Sequence, residues 1–237
     1  MSILVLLLMF LLFGFSAFES NSSSFAQPPG KPPPTVLESA LGADLVAAVT
    51  RNDDERAADL IAQGADLEAT DGHLRTPLLI ATHANNIPLA TLLIEAGADV
   101  NAKDDMQDSA YLYAGASGFN EILLLTLSHG ADLQSTNRYG GTALIPACER
   151  GHVETVRILI AAGVDVDHIN NLGWTGLLEA IILSDGGPAH QEIVQLLIDA
   201  GADVNIADAD GVTPLRHAEN RGFTIIAEKL IAAGAHR

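Results

Sequence analysis

The stretch Leu92-Leu93-Ile94-Glu95-Ala96-Gly97-Ala98-Asp99-Val100-Asn101 decides the fold, because close copies of it recur along the chain. Gly64, Gly97, Gly130, Gly163, Gly201 and Gly234 each end an apolar run of helical spacing, at intervals of 33, 33, 33, 38 and 33 residues. Four of these endings read Gly-Ala-Asp, and Gly163-Val164-Asp165 and Gly234-Ala235-His236 are variants. A second landmark keeps the same beat: Thr76-Pro77-Leu78, Ser109-Ala110-Tyr111, Thr142-Ala143-Leu144, Thr175-Gly176-Leu177 and Thr213-Pro214-Leu215. A fixed period of roughly 20–50 residues is the signature of a solenoid, in which each unit buries its apolar face only against its neighbours.

Each landmark has a physical duty. A threonine before a helix accepts a backbone N–H, and proline at the first helical position gives up a donor that has no partner there. Ala81, Ala114, Ala147, Ala180 and Ala218 are small enough to let paired helices approach. Gly118, Gly151 and Gly222 are expected to end the first helix of their units in a left-handed conformation. The second helix shows apolar residues at helical spacing, as in Val153, Val156, Ile158, Leu159 and Ile160. Repeats therefore fall near 38–70, 71–103, 104–136, 137–169, 170–207 and 208–237. The charged run Arg51 to Arg56 suits a solvent-facing cap at one end, and Lys229, His236 and Arg237 lend polarity to the other.

With these residues in view, the chain resembles the ankyrin repeat. The motifs that carry the resemblance are Thr213 to Ala218, Gly151-His152-Val153-Glu154-Thr155-Val156 and Leu92 to Asn101, and they cover about residues 38–237. The resemblance implies an all-α solenoid of about six 33-residue helix-turn-helix units with short β-hairpin-like turns. It also implies a protein partner bound on a concave face made by the turn tips and the ends of the first helices. Repeats three to five further resemble a group of exported bacterial ankyrin proteins.

Ahead of the solenoid, residues 1–18 carry no charge, and Ser24-Phe25-Ala26 places small residues where a signal peptidase inspects them. A signal peptide over 1–26 with cleavage after Ala26 is expected, followed by a proline-rich linker over 27–37, which places the protein in the periplasm or outside the cell. No Lys or Arg precedes the apolar run, so an uncleaved membrane anchor through residues 1–18 is the alternative.

The formal charge of −18 repels phosphate backbones and anionic lipid headgroups, so nucleic acid and membrane surfaces are not expected partners. The single thiol, Cys148, reads as a packing residue in a first helix. No zinc spacing, phosphate loop or dinucleotide fingerprint occurs. Asp208-Ala209-Asp210-Gly211 matches part of a calcium loop, but Ile206 and His217 stand where the first and twelfth ligands belong. His152 belongs to the repeat landmark, and the other histidines are expected as capping or surface residues. No enzyme activity, cofactor or metal is expected, and the protein is expected to be a monomer.

The candidate site follows from carrying the family's binding positions onto this sequence. Repeat four offers Arg138, Tyr139, Gly141, Glu149 and Arg150, and repeat five offers Asn171, Leu172, Trp174, Ile182 and Leu183. The flanks add Met106, Asp108, Ala116 and Ser117 on one side and Asp210, Val212, Asn220 and Arg221 on the other. Trp174 is the only tryptophan, and Trp and Arg are enriched at binding hot spots. The five extra residues of repeat five, Ser184 to Pro188, are expected between its two helices, at the foot of the groove. Partner binding is thus expected on repeats four to six through Arg138, Tyr139, Glu149, Arg150, His168, Asn171, Trp174 and Arg221. A polar pocket made by Arg138, Glu149, Arg150, His168 and Asn171, serving a small ligand or an unrecognised reaction, is the alternative.

Overall fold

The computed structural model describes residues 35–237; the expected signal peptide and the linker up to residue 34 lie outside them. Among the described residues twelve helices follow in six consecutive pairs. The first helices of the pairs are α1 (Val36–Thr50), α3 (Pro77–His83), α5 (Ala110–Ser117), α7 (Leu144–Glu149), α9 (Gly176–Ile182) and α11 (Pro214–Asn220). The second helices are α2 (Asp54–Ala62), α4 (Ile87–Glu95), α6 (Asn120–Ser128), α8 (Val153–Ala162), α10 (Pro188–Asp199) and α12 (Thr224–Ala232). First helices stack on first helices and second on second, so the molecule from α1 onward has two helical rows with one core between them. Helix α1 starts at Val36, so the last two residues of the expected linker, Val36 and Leu37, lie inside the first helix.

Local chemistry sets the helix starts. Thr35 and Glu38 form a capping box at α1. The hydroxyls of Thr76, Ser109, Thr175 and Thr213 accept the N–H of Leu79, Leu112, Leu178 and Arg216 at 3.2–3.3 Å. Thr142 breaks the series: α7 begins at Leu144, and the buried Thr142 hydroxyl has no hydrogen-bond partner. Pro146 explains the exception, since it has no N–H for the Thr142 carbonyl. Ile145 N–H takes that carbonyl instead, at 3.3 Å.

The helix ends follow the expected glycines. Gly118 and Gly151 adopt φ of +74° and +75°, and Asn52 and Asn85 fill the same place in the first two repeats at +53° and +49°. Asn is the side chain that best tolerates this region after glycine.

No β-strand forms among the described residues. The expected hairpin-like connections are tight tips closed by two backbone hydrogen bonds each. In the tip of repeat four, for instance, Asn137 N–H donates to the Gly141 carbonyl (3.0 Å) and Gly140 N–H to the Asn137 carbonyl (2.9 Å).

The five alanines expected to permit close helix approach are all fully buried, and Leu60, Leu93, Leu123, Leu159, Leu197 and Leu230 run the core through all six pairs. Burying a leucine side chain contributes about 1.5–3 kcal/mol, so this row, with its first-helix counterpart Leu78, Tyr111, Leu144, Leu177 and Leu215, holds neighbouring repeats together. Polar links add register. Asp132 N–H donates to Asn101 Oδ1 (2.8 Å), Asp203 N–H to Asp167 Oδ1 (2.9 Å) and His236 N–H to Asn205 Oδ1 (2.9 Å). The Asn of the Gly-Ala-Asp-Val-Asn landmark thus reaches one repeat ahead. Arg51 to Arg56 are exposed at the first pair, as a cap requires.

Candidate functional site

Five residues at intervals of 33, 33, 33 and 38 shape the tips: Asp71, Asp104, Asn137, Asn170 and Asp208. One side-chain oxygen of each accepts two backbone N–H groups, two and four residues ahead. Asn137 holds Tyr139 (2.9 Å) and Gly141 (3.1 Å); Asn170 holds Leu172 (2.9 Å) and Trp174 (3.0 Å); Asp104 holds Met106 and Asp108, both at 2.9 Å. This Asx geometry pins the turn and turns the residue two places on toward solvent. Met106, Tyr139 and Leu172 consequently form an exposed apolar row along three successive tips.

Two of the tip residues are also tied to the helix that follows them. Asn170 Nδ2 donates to Glu179 Oε1 (2.8 Å), and His217 Nε2 pairs with Asp208 Oδ2 (2.7 Å). Burial alone would raise the Asp208 carboxyl, but the Val212 N–H, the His217 ring and the Asp210 N–H outweigh it and hold it below the usual range. Both carboxylate oxygens of Asp208, in the fragment that matched a calcium loop, are thus engaged by the protein itself.

Beneath the apolar row lies a cavity of about 310 Å³. Repeat three lines it with Met106, Asp108, Tyr113 and Ala116; repeat four with Asn137 to Tyr139, Gly141, Ile145, Pro146, Glu149 and Arg150; repeat five with Asn170, Leu172, Glu179 and Leu183. Of the eight expected site residues, Arg138, Tyr139, Glu149 and Arg150 meet here. Arg138 lies over the Tyr139 ring, 4.6 Å from its centroid, with Nη2 donating to Tyr139 Oη (2.7 Å) and Nη1 directed at Met106 Sδ (2.9 Å). Arg150 Nη1 donates to the Ala116 carbonyl (2.7 Å). Tyr113 completes one wall, stacked on His83 at 3.8 Å.

The other four expected residues do not line the cavity. His168 Nε2–H donates to the Gly140 carbonyl (2.7 Å) and Asn171 N–H to the Tyr139 carbonyl (2.9 Å), so both lock the tip of repeat five to that of repeat four. Trp174 is half-buried and closes its tip through backbone hydrogen bonds to Asn170. Arg221 reaches from repeat six to the insertion, with Nη2 donating to the Ser184 carbonyl (2.7 Å) and its guanidinium 4.9 Å from the Phe223 ring centroid. The polar pocket of the alternative reading therefore keeps Arg138, Glu149 and Arg150 and loses His168 and Asn171.

Sequence reasoning missed Asn137, Ile145, Pro146 and Asn170 of the cavity lining and, more consequentially, Glu179 and Tyr113. Both occupy one position of the first helix, with Ile80, Pro146 and His217 as its counterparts in the other repeats. The Glu179 side chain is buried, and its carboxyl is pushed up to about 7 by burial first and by the Glu149 carboxylate second, with the Asn170 amide pulling it partly back. Asp108 is also raised, by burial and then by Asp104, against the weaker pull of Arg138, Arg150 and Lys103. Cys148 is fully buried and its thiol is held well above the ordinary range by that burial and by Glu179, as befits a packing residue.

At the foot of the cavity the connection between α9 and α10 runs from Leu183 to Gly187; four of the five extra residues, Ser184 to Gly187, lie in it and the fifth, Pro188, is the first residue of α10. His190 corrects the expectation for the scattered histidines. Its ring is nearly buried, and Nε2–H donates to the Glu149 carbonyl (2.9 Å). His152 stands in the same relation one repeat earlier: His152 packs against Gly118, and His190 against Gly151. The five extra residues displaced this histidine from the 33-residue beat and hid it.

Stacked helix pairs joined by pinned tips, with a cavity under the tips, define a helical solenoid scaffold that presents a binding surface. The particular family is settled by comparison. The family model for ankyrin repeats (three copies) matches residues 45–137 and 111–208, and the chain belongs to the ankyrin-repeat family. The crystal structure of an ankyrin repeat domain from Acinetobacter baumannii AYE is 60% identical, with a TM-score of 0.80 over 81% of this chain and 98% of that one. A second crystallised ankyrin repeat protein is 40% identical, with a TM-score of 0.78 over 80% of this chain and 97% of that one. The ankyrin repeat domain of Bcl-3, a member of the IkappaB family, is 28% identical with a TM-score of 0.73, covering 81% and 86%. Among curated proteins, YahD of Escherichia coli strain K12, named for ankyrin repeats, is 47% identical over 58 residues, which are 24% of this chain and 29% of YahD. Domains of this family are generally protein-interaction modules.

Proposed function

We propose that the chain is a non-catalytic binding protein that captures a protein partner on its tip-and-first-helix face, the concave face of an ankyrin stack, and does so in the cell envelope or outside the cell as a monomer. The observation that carries this reading is the exposed row Met106, Tyr139 and Leu172 above a cavity that also collects Arg138, Glu149 and Arg150. Apolar side chains exposed in line, rimmed by charge, are what an interface core needs and what a monomer's fold does not. The working surface is centred on repeats three to five, with Trp174 and Arg221 at its border. Export rests on the uncharged run of residues 1–18 and on Ser24-Phe25-Ala26.

Site-directed photo-crosslinking in the producing cell tests the surface. A photoreactive residue at Tyr139 or Leu172 should give a discrete crosslinked adduct, and one at the exposed Leu124 on α6 should not. Adducts from Leu124 and none from Tyr139 overturn the assignment of the face. Cell fractionation with mass measurement of the mature N-terminus tests location. A protein beginning near Gln27 in the envelope or medium is expected, and an intact Met1 on a cytosolic protein overturns it.

The second reading is a small-ligand receptor, favoured by the convergence of Arg138, Glu149 and Arg150 on a cavity rather than a flat groove. Native mass spectrometry of the purified chain showing a retained small molecule would select it over the first.

A further inference from the structure

Three carboxylates look into the cavity, and none has a charged partner in contact. Asp108 and Glu149 accept no hydrogen bond from a described residue through their side chains, and Glu179, only 6% exposed, uses Oε1 for Asn170 while Oε2 accepts nothing. The two guanidiniums nearby are engaged elsewhere: Arg138 with Met106 and Tyr139, Arg150 with the Ala116 carbonyl. The free oxygen of the nearly buried Glu179 carboxyl opens on the cavity, where a donor from outside can complete its hydrogen bonding.

We propose that the cavity receives one cationic side chain, a lysine or arginine, from the partner protein, its charge lodged among Asp108, Glu149 and Glu179 and its apolar neighbours laid on Met106, Tyr139 and Leu172. The inference rests on the binding face proposed above and names what that face selects. Charge complementarity selects a cation over an anion. An anion would meet three carboxylates and would have to pull Arg138 from Tyr139 and Arg150 from Ala116, on a chain of formal charge −18. Size agrees, because about 310 Å³ stands at the small end of ligand pockets, which span about 300–1,000 Å³. That volume accommodates a side chain and excludes a folded element. The raised carboxyls of Asp108 and Glu179, driven first by burial and then by a neighbouring acid, are consistent with acids that no cation contacts directly.

The test uses three capped tripeptides, acetyl-Leu-Lys-Leu-amide and its Gln and Glu counterparts, titrated into the isotope-labelled full chain and followed by amide chemical shifts. The lysine peptide should shift Met106, Tyr139, Glu149 and Leu172 with an affinity at least about tenfold above the glutamine peptide, and the glutamate peptide should be weakest. Glu149→Gln, a half-buried change of equal size, should remove most of the preference for lysine while leaving the spectrum folded. Equal shifts by the lysine and glutamine peptides at this face, or a preference for glutamate, overturn the cation and leave the face standing. Shifts by the lysine peptide confined to other repeats, or no shift at all, also overturn the inference, and the crosslinks from Tyr139 and Leu124 then decide independently whether the face itself is wrong.

Discussion

Glu179 shows how much one position can hold back from a reader of sequence. In the repeat pattern its place is an ordinary first-helix position, filled by Ile80, Tyr113, Pro146 and His217 elsewhere, and nothing in the spacing announces that repeat five puts a buried carboxyl there. The consequence is a pH dependence with a definite sign. The folded carboxyl sits at about 7 against an ordinary 4.5, so the folded state holds the proton more tightly than the unfolded state. Its contribution is fully present below 4.5 and is lost as pH rises through about 7. At 1.36 kcal/mol per pH unit, the loss approaches about 3 kcal/mol. Glu179→Gln keeps an acceptor for Asn170 and removes the titration. Urea unfolding at pH 5, 6, 7 and 8 should therefore show the variant gaining on the parent as pH rises, by up to about 3 kcal/mol at pH 8. A constant difference across the series would mean that the carboxyl titrates normally.

Helices and tips were legible to the extent that their determinants recur. Thr-Pro starts, glycine ends and the apolar beat of the second helix need only local geometry, and they place the elements to within a few residues. The binding positions carried over from the family placed Arg138, Tyr139, Glu149 and Arg150 at the cavity for the same reason. Trp174 did not follow, because the register fixes where a backbone goes and not which way a half-buried indole turns. His190 was hidden because the insertion shifts it by five residues, and only the fold shows it in the place of His152. This separates two kinds of residue in one connection. Removing Ser184 to Pro188 brings Leu183 next to Ala189 and His190, the spacing of Arg150, Gly151 and His152. With Ala189→Gly to supply the left-handed residue, the shortened chain should melt within a few degrees of the parent. His190→Ala should instead cost about 2–3 kcal/mol, from a buried hole and an unpaired Glu149 carbonyl. Thermal unfolding of the two variants side by side checks both, and a shortened chain that fails to fold would show that the insertion is structural.

At the scale of the whole molecule, a solenoid has no contacts between distant repeats, so its stability is a chain of neighbour terms. The cavity spans three repeats and is only as well formed as the two interfaces that hold them in line. Leu159 on α8 lies at their centre, fully buried, in the helix that packs against α6, α7 and α10. Leu159→Ala leaves a hole that neighbouring helices fill only in part, at a cost of about 2–5 kcal/mol. In a globular core the damage would spread to every amide. Here it should be confined, because repeats one and six touch α8 only through intermediaries. Hydrogen exchange should lose protection first in α6, α8 and α10, while α2 and α12 exchange at their former rates. Binding at the cavity should weaken with it, since Asp108, Glu149 and Glu179 hold their relative positions only while repeats three to five stay stacked. Uniform loss of protection from α1 to α12 would mean that the stack unfolds as one unit and that coupling between repeats is longer in range than neighbour packing provides.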